Sequence, residues 1–277
     1  MKIRSMKPVT VFWYAMFIIF TLMMMYPLAF AISNSLKTVT DAFNSITELI
    51  PRNPTFENYI HVFIRHDVVG LTINTFIIAI TVTVFKLLTS IFAAYALVFF
   101  DYKYKNLVYF ILVSTIFIPF TVTMIPNFIT ISHWGFLDNP LGVIAPQLAD
   151  ALGIFLIRQN MKMIPKSLIE YAKVENLSNW RIMKDIVAPL AKPGIISTGI
   201  IFFINSWNEY VWPMLILRAR ENYTLPLALQ NFISAEGGSN FTYAMALSVI
   251  SMIVPLILFL IFQKHIISTF ISSGVKG

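Results

Sequence analysis

The chain has 277 residues, 57% of them hydrophobic and 12% charged, with a mean hydropathy of +0.75. A soluble domain carries about a quarter charged residues, so the composition excludes an ordinary soluble globule and indicates an all-α, polytopic membrane protein with one integral domain over 1–277. Cysteine is absent, which excludes a disulfide framework and thiolate chemistry, and the net charge of +7 has to be judged by where the charges fall.

A helix needs about 20 consecutive apolar residues to cross a bilayer core. The first such run is 9–32. It follows MKIRSMK and contains an A-x-A pattern at Ala29 to Ala31, the ingredients of a signal peptide. It exceeds the about 7 to 15 residues of a signal h-region, so it is expected to remain as a transmembrane anchor. Residues 33–70 form a polar segment with turn residues Pro51, Asn53 and Pro54, and its amphipathic piece FENYIHVFI suits a membrane surface or a partner.

The second run, 71–99, carries Lys86 in mid-span. An ionisable group there costs roughly 2.5 to 3.5 kcal/mol on insertion scales and should face the bundle interior or a wet cavity. Thr83, Thr89 and Ser90 share its helical face, and Glu209 and Asp150 are candidate partners. Two readings stand: a cation beside a path for a polar or anionic substrate, and a structural ion pair or interhelical hydrogen bond. The third run, 107–131, contains Pro119 and Pro126, which free backbone carbonyls and can kink it. The fourth, 141–160, is interrupted by Pro146 and Asp150.

Residues 161–193 then form a loop too long for a structureless connection. Ser167 and Glu170 have the spacing of a capping box, which starts a short helix. Asn176 tolerates the left-handed conformation that ends helices, and Ser178 can cap a second helix. At 100° per residue, Trp180, Ile182, Met183, Ile186 and Val187 share one face, with Arg181, Lys184 and Asp185 opposite. Pro189 is expected to stop this helix. By pattern alone it could lie passively on lipid headgroups.

The fifth run, 194–217, puts Asn205, Asn208, Glu209 and Trp212 at i, i+3, i+4 and i+7. Amides, a carboxylate and an indole on one face suit the hydroxyls and C–H faces of a sugar, and equally suit helix–helix contacts. The sixth run is 243–264. The four histidines are scattered and show no metal-ligand spacing.

Six spans put both termini on one side. With that side cytoplasmic, fourteen of the 20 Lys and Arg fall in cytoplasmic segments or, for Arg158 and Lys264, at the cytoplasmic ends of the fourth and sixth runs, five fall outside, and Lys86 lies in mid-span. This is the positive-inside asymmetry. It accounts for the basic balance without nucleic acid.

Glu170-x-Ala172, the acid Glu175, the turn residue Asn176 and Leu177, followed after a variable stretch by IVAPLAKP, resemble the cytoplasmic EAA loop of ABC importer permeases. The likeness continues in NPTFENY, FAAYAL, IPFTVTMIPNF, FLIRQNM, WNEYVWP and the terminal GVKG, and is greatest to the maltose-type carbohydrate importers, including glycerol-3-phosphate permeases. Tyr171 replaces the middle alanine, Glu175 the usual aspartate, Asn176 the usual glycine and Leu177 a small residue.

The resemblance implies a non-enzymatic permease subunit in a bacterial inner membrane. Its expected partners are a second homologous permease, two ATPase subunits, an extracytoplasmic solute-binding protein, membrane lipid and a carbohydrate; a polyol phosphate is the alternative substrate. Glu170, Ala172, Glu175, Asn176, Leu177, Trp180, Arg181 and Pro189 would couple the chain to the ATPase, with Gly274 and Lys276 as a C-terminal contact. Lys86, Asn205, Asn208, Glu209 and Trp212 remain the substrate-path candidates. No phosphate-cradling G-x-x-x-x-G-K-[ST] occurs, so no cofactor is expected on this chain, with ATP and Mg in the ATPase. A rival reading is an ion-coupled secondary transporter with Lys86, Glu209 and Asp150 as a relay, although no internal repeat supports it.

Overall fold

The computed structural model describes residues 8–235 and 241–274, and every regular element among the described residues is a helix. In chain order these are α1 (Pro8–Ser35), α2 (Val39–Asn44), α3 (Glu57–Arg65), α4 (Val68–Phe99), α5 (Lys105–Ser114), α6 (Phe120–His133), α7 (Pro140–Ile144), α8 (Ala151–Lys162), α9 (Lys166–Val174), α10 (Asn179–Arg181), α11 (Ala188–Leu190), α12 (Lys192–Asn208), α13 (Val211–Ile216), α14 (Leu225–Ala235) and α15 (Phe241–Gly274). A π-helical turn, Ile182–Val187, joins α10 to α11.

Three helical stretches, Val9–Ser35, Val68–Phe99 and Phe241–Lys264, are long and apolar enough to cross a membrane. Six segments qualify if each of three bent helix pairs forms one span. The bends have chemical causes. In the third run α5 continues through a 3-10 turn, Thr115–Phe117, and meets α6 at 97°. Pro119 caps α6, and Ile118 before it is extended, with φ −80° and ψ 113°, as the residue preceding a proline prefers. In the fourth run the bend is 47°, at a break that Asp150 closes by accepting a hydrogen bond from the Gly153 N–H at 2.9 Å. Asp150 is thus the N-cap of α8.

The chain divides into two compact units. One comprises the described residues up to Val68 together with Leu229–Ile253. Its organising side chain is Lys37, 1% exposed, whose ammonium donates to Asn34 Oδ1 at 3.1 Å, to the Ser45 carbonyl at 2.7 Å and to the Glu48 carbonyl at 2.6 Å. Asn58 of α3 closes the same knot by donating to the Ser35 and Lys37 carbonyls at 2.7 and 2.8 Å. The amphipathic piece therefore forms α3 and docks on its own chain through Asn58 and Val62, leaving Ile60, Phe63 and Ile64 exposed.

The second unit comprises Val69–Ala228 and the described residues from Val254 on. It holds two cores. Around one end of α4, Ala94 and Tyr95 pack with Ile157 and Met161 of α8 and with residues of the 161–193 loop. Toward the other end, Ile78 and Val82 pack with Ile131, Val143, Trp212 and Ile216.

Candidate functional site

The 161–193 loop is a folded knob. α9 begins at Lys166 behind Pro165, and no side chain caps it. The expected Ser167–Glu170 capping box is therefore not formed: Pro165 supplies a preset φ of −58° and its carbonyl accepts from Leu168 N–H at 3.2 Å, so Ser167 already lies inside the helix. The C-terminus of α9 follows expectation closely. Asn176 has φ +56°, its N–H donates to the Lys173 carbonyl at 3.0 Å, and the Leu177 N–H donates to the Ala172 carbonyl at 3.1 Å. This is a Schellman motif, in which two carbonyls otherwise left unpaired are satisfied. Ser178 then caps the next helix, accepting from Arg181 N–H at 3.4 Å.

The second helix differs from expectation in two respects. Ile182, Met183 and Val187 are buried, but Trp180 is 59% exposed, and its ring stacks on Phe92 at 6.3 Å. Pro189 does not stop the helix, which runs through Leu190 and turns at Ala191, 78° from α12. The π-helical turn just before Pro189 is the reason: wider hydrogen-bond spacing accommodates the missing N–H and the ring beside the Asp185 carbonyl.

The knob has an inner and an outer side. Ile169, Ala172, Ile182 and Val187 are buried with Ile157 and Met161 of α8, Leu177 packs against this core, and the Tyr95 hydroxyl donates to the Asn179 carbonyl at 3.2 Å. Glu170, Tyr171, Val174, Glu175, Asn176, Trp180, Arg181 and Pro189 are exposed. Gly274 ends α15, and Lys276 lies outside the described residues.

Among the substrate-path candidates, Lys86 pairs with Asp150, Nζ to Oδ2 at 3.4 Å, and lies 5.3 Å from the Phe202 ring centroid. Thr89 ties the same region of α4 to the fourth run by donating to the Leu148 carbonyl at 3.0 Å. Gly153 is required here, because a Cβ would collide with Phe202 and Ser90.

The expected polar face of the fifth run is not assembled. α12 ends at Asn208, Glu209 is extended with ψ 125°, and α13 starts afresh at Val211. Pro213 is the cause: in a continuous helix its ring would meet the Glu209 carbonyl, four residues back, with no N–H to offer it. The Glu209 carboxylate instead accepts from the Val211 and Trp212 N–H groups at 2.9 and 3.1 Å. Trp212 turns into the core, donating Nε1–H to the Gly142 carbonyl at 3.2 Å. Asn205 and Asn208 stay exposed, and the Lys86–Asp150–Glu209 relay is not formed.

At the opposite end of this unit from the knob, Asp138, with φ +56°, gathers the connection after α13. Its carboxylate accepts from the Arg218 and Ala219 N–H groups at 2.9 and 3.0 Å and from the Asn222 amide at 3.1 Å. These donors, with the Arg218 charge nearby, hold its carboxyl below the usual carboxylate range. Asn74 of α4 joins them, donating to the Glu221 and Tyr223 carbonyls at 2.7 and 3.2 Å. Neither Asp138 nor Lys37 stands out in the sequence, since each is one more charge in a polar connection.

Residues 68–271 match the family described as the binding-protein-dependent transport system inner membrane component. The chain is 29% identical over 280 residues to the sn-glycerol-3-phosphate transport system permease protein of Yersinia pestis, covering 98% of this chain and 99% of that protein. It is 28% identical over 264 residues to the arabinooligosaccharides transport system permease protein of Bacillus subtilis, covering 94% of each. Among solved structures, it resembles a chain of a bacterial ABC transporter involved in the import of the acidic polysaccharide alginate, with a TM-score of 0.82 and 26% identity, over 95% of this chain and 98% of that one.

Proposed function

The chain belongs to the family of binding-protein-dependent transport system inner membrane components, and from that premise we propose that it is the permease subunit of an ATP-driven importer of di- or oligosaccharides. In this reading it crosses a bacterial inner membrane six times with both termini cytoplasmic. A second permease completes the path, an extracytoplasmic binding protein delivers the sugar, and two ATPase subunits bind ATP and Mg and act on the 161–193 knob.

The observation that supports coupling is the knob's two-sidedness. A helix resting passively on lipid turns its apolar face to the membrane. Here that face is spent on the chain's own core, through Ala172, Ile182 and Val187, and the outer side presents Glu170, Tyr171, Val174, Trp180 and Arg181. A rigid body with mixed aromatic and charged exposure suits a protein cleft. Carbohydrate is preferred to a polyol phosphate because the cation of Lys86 is already compensated by Asp150, while Asn205 and Asn208 keep exposed amides. The phosphate reading keeps support from the Yersinia relative's name.

The test is expression of the complete gene cluster with Glu170→Arg, a charge reversal on the outer side that leaves the inner packing alone. The wild-type chain should co-purify with an ATPase and a second permease and take up sugar only with ATP. The variant should insert normally and lose uptake by at least about fivefold, the low end of a typical coupling free energy. Wild-type uptake that persists without the ATPase genes would refute the proposal.

A further inference from the structure

Arg158 of α8 is 6% exposed, and its guanidinium carbon lies 3.6 Å from the centroid of the Tyr109 ring in α5. Among the described residues no carboxylate is within 4.0 Å of it, and its Nε–H is buried with no acceptor. A guanidinium withdrawn from water ordinarily takes a carboxylate fork. Here the face of an aromatic ring stands in for that fork.

The position of this contact matters. On one side, Ile157 and Met161 of the same α8 turns belong to the core that grips the knob, with Ile169, Ala172, Ile182 and Val187. On the other side, Tyr109 belongs to α5, which leads to the 97° bend at Ile118 and Pro119. We propose that Arg158 and Tyr109 form a strut that carries displacement of the knob from α8 into the bent third span, making them positioning residues for transport. This rests on the coupling role proposed above and adds the route the displacement takes. A cation–π contact has the right mechanical character for such a strut. The charge and the ring press the two helices together face to face, so displacement along the contact is transmitted, while the absence of a fixed directional bond lets their relative tilt change. The unfilled Nε donor gives the guanidinium something to gain when α5 and α8 shift, as a two-state element requires.

The experiment uses the whole importer complex in proteoliposomes, with sugar uptake and ATP hydrolysis measured on the same preparation. Tyr109→Phe keeps the ring face, Tyr109→Leu removes it at similar apolar character, and Arg158→Met removes the charge while keeping the packing. Tyr109→Phe should match wild type in uptake per ATP. Tyr109→Leu and Arg158→Met should assemble and hydrolyse ATP, yet fall in uptake per ATP by at least about fivefold. A purely structural contact would lower yield and thermal midpoint and leave that ratio unchanged. An unchanged ratio in Tyr109→Leu beside a normally coupled wild type overturns the strut alone. Wild-type uptake indifferent to ATP overturns the importer reading, and the strut with it.

Discussion

Asp138 and Lys37 show how charged side chains outside the spans organise this chain without chemistry of their own. Asp138 collects two backbone N–H groups and an amide, and these donors favour its ionised form. Its folded pKa is depressed, so its stabilising contribution is complete above the unfolded value of about 3.9 and is lost as pH falls through the folded value. Asp138→Asn keeps an acceptor oxygen and tolerates the left-handed backbone, so it isolates the charge. The variant should unfold at a lower temperature than wild type at pH 7, and the gap should close on acidification below about pH 4. Thermal scans of detergent-solubilised protein across pH would measure it; a gap independent of pH would show that the carboxylate charge is not what matters. Lys37 is held differently, by carbonyls, and burial pushes its ammonium below the ordinary lysine range, against the opposing pull of Glu48 and Asp41. Neither role was legible in the sequence, because both depend on backbone groups brought from 8 to 81 positions away.

At the scale of elements, legibility followed the prolines and the turn residues. The bend at Pro119 and the positive φ of Asn176 were open to direct reading, since each is a local steric property of one residue. The face of Asn205, Asn208, Glu209 and Trp212 was misread by carrying a 100° wheel across Glu209, although Pro213 four residues on forbids the helix there. Pro189 misled in the opposite direction, because a π-helical turn absorbs it, and nothing local announces such a turn. For Lys86 the sequence offered two candidate carboxylates, Glu209 and Asp150, without choosing between them, and the structure places Asp150 beside it. The Asn176 turn permits a sharp test of the knob. Asn176→Gly should leave uptake unchanged, because glycine adopts φ +56° without penalty. Asn176→Val should cost ~1–2 kcal/mol in that conformation, loosening the register between α9 and the π-helical turn and lowering uptake while membrane insertion stays normal. Equal uptake by the Gly and Val variants would mean that the register of the knob is irrelevant to transport.

For the molecule as a whole, the charge asymmetry and the hydrogen bonds of the second unit agree in how they sort its connections. The segments at 132–140 and 218–228 and the Asn74 end of α4 share one side in the positive-inside reading, and Asp138, Asn74 and Asn222 bond them together. The other end of α4 meets the knob through Tyr95, again as that reading requires. Short polar bridges of this kind could not form between segments separated by about 30 Å of hydrocarbon. Grouping alone does not say which side is cytoplasmic, and the proposed orientation puts the excess of Lys and Arg there. The chain's natural lack of cysteine makes the assignment directly measurable, since an introduced thiol has no background. Single cysteines at exposed Lys103 and Lys173 should react with a membrane-impermeant maleimide only after the cytoplasmic face is opened, and those at exposed Asn53 and Glu221 in intact spheroplasts. Labelling of Glu221→Cys from the same side as Lys173→Cys would mean that α12 and α13 fail to carry the chain across. The six-span topology, and with it the cytoplasmic placement of the knob, would then have to be abandoned.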